Sequence, residues 1–167
     1  MWGNHIVFGA DKAAEIAERY GANKEKVVTG FLLHDLADVW MDRSDEKHEE
    51  KGQNKARKIL NDSGFSEEEA EDIINNVINP HSCYPDNMPT TPEGRIVATA
   101  DALTHLETDF FKVMETMLVK FGINKTPQEY KEWVKEKLKK DFESKIFFDE
   151  IREEVRATYE KLLVIYQ

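Results

Sequence analysis

Apolar residues recur along this chain at the three- and four-residue spacing of one helical face, and no segment shows the strict alternation of a strand. From about residue 5 to 20, Ile6, Ala10, Ala13, Ile16, Ala17 and Tyr20 share a face, and Gly21 follows as a C-cap. Asn23 suits the N-cap of a second helix over about 24–40, with Val27, Val28, Phe31 and Leu32 as its apolar positions. A charged stretch, Met41 to Glu46, leads to a mostly polar third helix over about 46–62, whose buried stripe is Ala56, Ile59 and Leu60. Gly64 ends it. Ser66 and Glu69 make an S-x-x-E capping box for a fourth helix carrying Ala70, Ile73, Ile74, Val77 and Ile78. Pro80 stops that helix, and Asn79 to Thr91 reads as a loop rich in turn formers. Thr91-Pro92 restarts a helix that is predicted to run to about Phe121, where Gly122 breaks it. Thr126-Pro127-Gln128-Glu129 opens another, and a last helix centres on Ile151, Val155, Tyr159 and Leu162. With no repeat and no linker, the pattern predicts one all-α domain over residues 1–167, a helical bundle.

Composition narrows the functions open to such a bundle. At 167 residues, 40% hydrophobic and 34% charged, the chain can bury a real core. Its apolar stretches are far shorter than a membrane span, and no charged start followed by an apolar run suggests a secretory signal. The one cysteine, Cys83, has no internal disulfide partner, so a reducing cytoplasm is the expected compartment. The net charge of −10 argues against an extended nucleic-acid or anionic-membrane surface. A small anionic substrate stays open, because a metal ion inverts the local field.

The candidate chemistry centres on His34-Asp35, two metal-ligand types side by side in the otherwise apolar Gly30-Phe31-Leu32-Leu33-His34-Asp35-Leu36-Ala37. Burying both without a partner is costly, and a divalent cation partners both. On a continuous helix Asp38, four residues after His34 and three after Asp35, shares their face. His5 opens the first helix. Asp101 lies among small residues in Ala98-Thr99-Ala100-Asp101-Ala102, as an aspartate facing a packed interior would. A bundle can bring His5, His34, Asp35 and Asp101 around one metal, and two nitrogens with two carboxylates suit Mn, Fe, Co, Ni, Zn or Mg. Plainer readings stand beside these: a surface His5, a solvated Asp101, an Asp38 paired with Arg43, a His48 on a charged face, a turn histidine at His81, a structural His105 and a passive Cys83.

The order His, then His-Asp, then Asp resembles the HD superfamily of metal-dependent phosphohydrolases. Val28-Thr29-Gly30-Phe31-Leu32-Leu33-His34-Asp35-Leu36-Ala37-Asp38 resembles its signature helix. Thr91 to Leu103 resembles its terminal-aspartate helix, and Ile78-Asn79-Pro80-His81-Ser82 is similar to a segment found between them in one branch. The likeness covers roughly residues 2 to 108, with Trp2 as the usual upstream aromatic. It implies that His5, His34, Asp35 and Asp101 ligate a divalent metal and that Asp38 positions or deprotonates the attacking water. His48 and His81 match by order the histidines that some branches use for a second metal. Lys51, Arg57 and Arg95 are candidates for contacting phosphate. The implied function is hydrolysis of a small phosphate ester, a nucleotide for example. The rivals are a di-iron oxygenase on the same scaffold and a non-catalytic, metal-stabilised module that binds a nucleotide or a protein.

Overall fold

Helix starts fall where the capping residues put them. In the computed structural model, which describes residues 3–42, 45–120 and 125–167, the Asn23 side chain accepts from Lys26 N at 3.0 Å and opens α2 (Lys24–Leu33). Ser66 and Glu69 complete the expected capping box of α4 (Glu67–Ile73), and Thr126 with Glu129 forms a second one on α7 (Pro127–Lys140). Thr91 caps α5 (Pro92–Glu107), with Pro92 in its first turn. The remaining helices are α1 (Phe8–Tyr20), α3 (His48–Asp62), α6 (Phe110–Lys120) and α8 (Asp149–Ile165). Among the described residues β-structure is limited to one bridge, Tyr84 with Asn87. No described helix is long and apolar enough to cross a membrane. Trp2, Arg43 and Gly122 lie outside the described residues.

Three expected boundaries are corrected. The second helix stops at Leu33, not near residue 40, because the His34 ring turns back and its Nδ1 bonds the Phe31 carbonyl at 2.6 Å, taking an oxygen of the last turn. Asp35 then leaves helical geometry (φ −108°, ψ 28°), and Asp38 sits on a separate 3-10 turn, Leu36–Val39. Pro80 does not begin a loop: a π turn (Ile74–Ile78) and a 3-10 turn (Asn79–Ser82) carry the chain on to Cys83, whose φ of 52° makes the reversal. The long fifth helix is two. Thr108 is extended, its Oγ1 donates to Thr104 O at 2.5 Å, and the same oxygen accepts from Phe110 N at 3.2 Å. One hydroxyl thus ends α5 and starts α6.

α5 is the central element. Every residue from Ile96 to Leu106 is buried, the polar Thr99, Asp101, Thr104 and His105 included, so this helix is enclosed on all sides. α1, α2, α6, α8 and the π turn Asp141–Lys145 pack around it. The larger core joins Ala13, Ile16, Phe31, Ile96, Val97, Leu103, Val134 and Leu138. A smaller one joins Leu33, Ala56, Leu60, Ala70, Ile73, Ile74 and Ile78. Phe31 belongs to the first and Leu33 to the second, so His34-Asp35 emerges where the two cores meet.

Candidate metal centre

Four side chains from three parts of the chain converge behind a pocket. His5 comes from the π turn Gly3–Val7 ahead of α1, His34 and Asp35 from the end of α2, and Asp101 from the middle of α5. His5 Nε2 lies 3.6 Å from Asp35 Oδ2 and 3.4 Å from Asp101 Oδ1. His34 Nε2 lies 3.5 Å and 3.6 Å from the same two oxygens. These spacings are too long for hydrogen bonds. Two ligand atoms that each sit about 2.1 Å from one ion, at angles near 90–110°, are roughly 3.0–3.5 Å apart. The observed spacings are at or just beyond the wide end of that range, which leaves room for a cation.

The ring tautomers fit the same arrangement. Thr104 Oγ1 donates to Asp101 O at 2.7 Å, so its contact with His5 Nδ1 at 2.8 Å has the imidazole donating. His34 Nδ1 donates to Phe31 O. Both rings therefore direct a lone pair from Nε2 inward, and His5 Nε2 and His34 Nε2 are buried with no hydrogen-bond partner. A divalent ion would partner both nitrogens, and with two carboxylates beside them the residues present fit one. Without an ion the site draws a proton instead. Burial opposes charge on His34, but Asp35 and Asp101 outweigh it and raise its pKa.

Further groups surround the tetrad. His81 Nε2 is 3.6 Å from Asp35 Oδ1, and its Nδ1 bonds Ile78 O at 2.6 Å. Burial, then His34, push His81 down to about 3, so it is a neutral base near pH 7. His105, four residues after Asp101, stacks on His5 and puts Nε2 3.5 Å from Asp101 Oδ1, while its Nδ1 contacts Asp141 Oδ2 at 2.9 Å. Lys145 forms a buried ion pair with Asp101 Oδ2. Burial alone would raise the Asp101 pKa, but Lys145, His105 and His34 hold it well below the usual carboxylate range. Among the described residues, three sets of side chains lie close enough to hold a cation: His5, His34 and Asp35; His5, Asp101 and His105; His34, His81 and Asp101.

The cluster opens into a cavity of about 350 Å³ lined by residues that include His34, Asp35, His48, His81, Ser82 and Tyr84. His48 is not on a solvated face. It lines this pocket, and its Nε2 is 2.8 Å from Asp38 Oδ1. His48 and His81 thus share the pocket, but only His81 joins the ligand cluster among the described residues. The three phosphate candidates are not brought to it. Arg57 binds Glu71 and Asn54, Arg95 reaches Pro89 O and the Phe147 ring, and Lys51 is exposed. No Lys or Arg is among the described lining residues. Sequence reasoning missed Lys145 and Asp141, which nothing local distinguishes from surface charge, and gave His105 a structural role despite its i,i+4 spacing from Asp101.

Known proteins give a consistent result. Over 101 residues the chain is 34% identical to ribonuclease Y of Thermotoga petrophila and of Thermotoga maritima. It is 38% identical over 101 residues to ribonuclease Y of Thermosipho melanesiensis. Each alignment takes in 60% of this chain but 18% of the relative, so the chain spans only a small part of the length of these enzymes. No solved structure gives a significant match. Residues 2–106 match the HD domain, a stretch that holds all four converging side chains, and the chain belongs to this family, whose members are generally metal-dependent hydrolases.

Proposed function

We propose that this protein hydrolyses a small phosphate ester, a nucleotide for example, at one divalent ion held by His5, His34, Asp35 and Asp101. The observation that carries the reading is the pair of partnerless imidazole nitrogens facing two carboxylate oxygens at 3.4–3.6 Å, at the back of an open pocket. An ion held there supplies Lewis acidity towards a phosphoryl oxygen and lowers the pKa of water. The remaining work belongs to side chains. Asp38 aligns the attacking water and takes its proton as the new P–O bond forms. The ester P–O bond breaks, the leaving alkoxide takes a proton from solvent in the open pocket and departs as the alcohol, and Asp38 returns its proton to solvent. His48, bonded to Asp38 Oδ1, fixes the direction of that carboxylate. Ser82, Asn79 and Tyr84 on the pocket wall offer neutral hydrogen bonds to the ester.

A cavity of about 350 Å³ is at the small end of ligand sites, which typically hold roughly 300–1,000 Å³. Asp45, Glu46 and Glu49 on its wall repel a long polyanion. Size and charge together favour a small ester over the RNA in the relatives' name. The test is a screen of nucleotides and simple phosphate esters with Mn, Fe, Co, Ni, Zn and Mg, measuring phosphate release and metal content. Turnover at one ion per chain is expected. Tight ligand binding without turnover under any metal would make the protein a binding module. Two irons per chain with a charge-transfer band would make it an oxygenase.

A further inference from the structure

The two oxygens of Asp101 have different surroundings. Oδ1 faces His5, His34 and His105, whereas Oδ2 holds the ammonium of Lys145. Lys145 is 3% exposed and Asp101 4%. Burying an ammonium is costly unless it is paired, and the chain is shaped to deliver this one. After α7 the backbone widens into the π turn Asp141–Lys145. Thr99 Oγ1 donates to Lys145 O at 3.1 Å and accepts from Phe147 N at 3.1 Å. That hydroxyl ties the lysine to α5 two residues before Asp101. Asp141, at the start of the same turn, is buried between Lys137 at 2.7 Å and His105 at 2.9 Å. The backbone of Lys145 is thus fixed against α5, and its ammonium is held there by the buried ion pair with Asp101.

We propose that Lys145, which lies outside the HD-matched residues, is a positioning residue of the metal centre. It restricts Asp101 to one ligand oxygen, and its charge offsets one of the two ligand carboxylates. The bound ion and the lysine share a single carboxylate, so each leaves the other less neutralised. More positive charge then faces the pocket, whose described walls have no Lys or Arg to receive an anion. The inference rests on the ligand set and the phosphate-ester reading proposed above.

Two variants separate charge from contact. Lys145→Met removes both the charge and the hydrogen bond; Lys145→Gln removes the charge but keeps a donor. Calorimetry measures Mn2+ binding to the metal-free full chain, then inorganic phosphate binding to the Mn2+-loaded protein. Both variants should bind Mn2+ more tightly, on the order of tenfold, because a nearby cation is gone. Both should bind phosphate more weakly, by about the same factor. A lysine with only a structural role would not move the two ions in opposite directions. Unchanged or weaker Mn2+ binding in the folded variants overturns the proposal, as does unchanged phosphate binding. Wild-type behaviour in Lys145→Gln alone overturns it too, since the hydrogen bond would then suffice. If neither variant folds with Mn2+ present, as judged by circular dichroism, Lys145 belongs to the fold and the proposal fails. The wild type guards the underlying reading. If it takes up no Mn2+, the ligand assignment fails; if it binds both ions and the variants match it, only the role of Lys145 falls.

Discussion

On the proposed mechanism, Asp38 is the residue at which binding and chemistry separate. It bonds His48 at 2.8 Å and stands on its own 3-10 turn, apart from the metal-capable sets. Asp38→Asn is expected to keep the metal and the fold while turnover falls by a factor on the order of 10² to 10⁴, the usual worth of a positioned base. Substrate affinity should change far less, because the role is expressed in the transition state. Steady-state kinetics with metal analysis on the same sample checks this, and loss of the ion would make Asp38 a ligand instead. At this scale the sequence was informative where two ligand types met apolar neighbours. His34-Asp35 stands out in an apolar run, and Asp101 among alanines. Thr104 and Lys145 were not legible. Their roles come from packing that joins residues 99 and 44 positions apart, and no local pattern encodes such a contact.

Helices were legible where a side chain caps its own backbone, as at Asn23, Ser66, Thr91 and Thr126. Their ends were less so. The stops at Leu33 and Glu107 depend on a histidine ring and a threonine hydroxyl that turn back onto carbonyls, and both residue types are ordinary inside helices. The fit between elements gives a sharper test. A methyl on Gly9 of α1 would sit 2.0 Å from the Phe31 ring and 2.6 Å from Thr104 Cγ2. Phe31 supplies the carbonyl that orients His34, and Thr104 the hydroxyl that orients His5. Gly9→Ala is therefore expected to cost about 1–3 kcal/mol of stability as an overpacked site. It should also weaken metal binding, although it touches no ligand. Denaturant unfolding and Mn2+ titration of this variant test both, and unchanged metal affinity would uncouple the α1 packing from the site.

Across the whole molecule the all-α reading agrees with the described helices, and the HD match agrees with the resemblance. The C-terminal third carried no readable motif because what it contributes, packing against α5 and the Lys145–Asp101 ion pair, takes shape only in the assembled fold. The placement of the proposed ligands also bears on timing. His5 and Asp101 are 96 positions apart, and His34-Asp35 falls between them, so the proposed coordination sphere would close only after α1, α2 and α5 have docked. Closing so long a loop is an entropic cost met before any metal–ligand contact repays it. A divalent ion should then act as a late latch. Stopped-flow refolding should run at nearly the same rate with and without Mn2+, while unfolding slows in proportion to the affinity gained, as for contacts absent from the transition state. A faster refolding limb in Mn2+ would place the metal in the folding nucleus. On the expected outcome, the ion sets how long the native chain survives, and chelation shortens that lifetime without slowing its renewal.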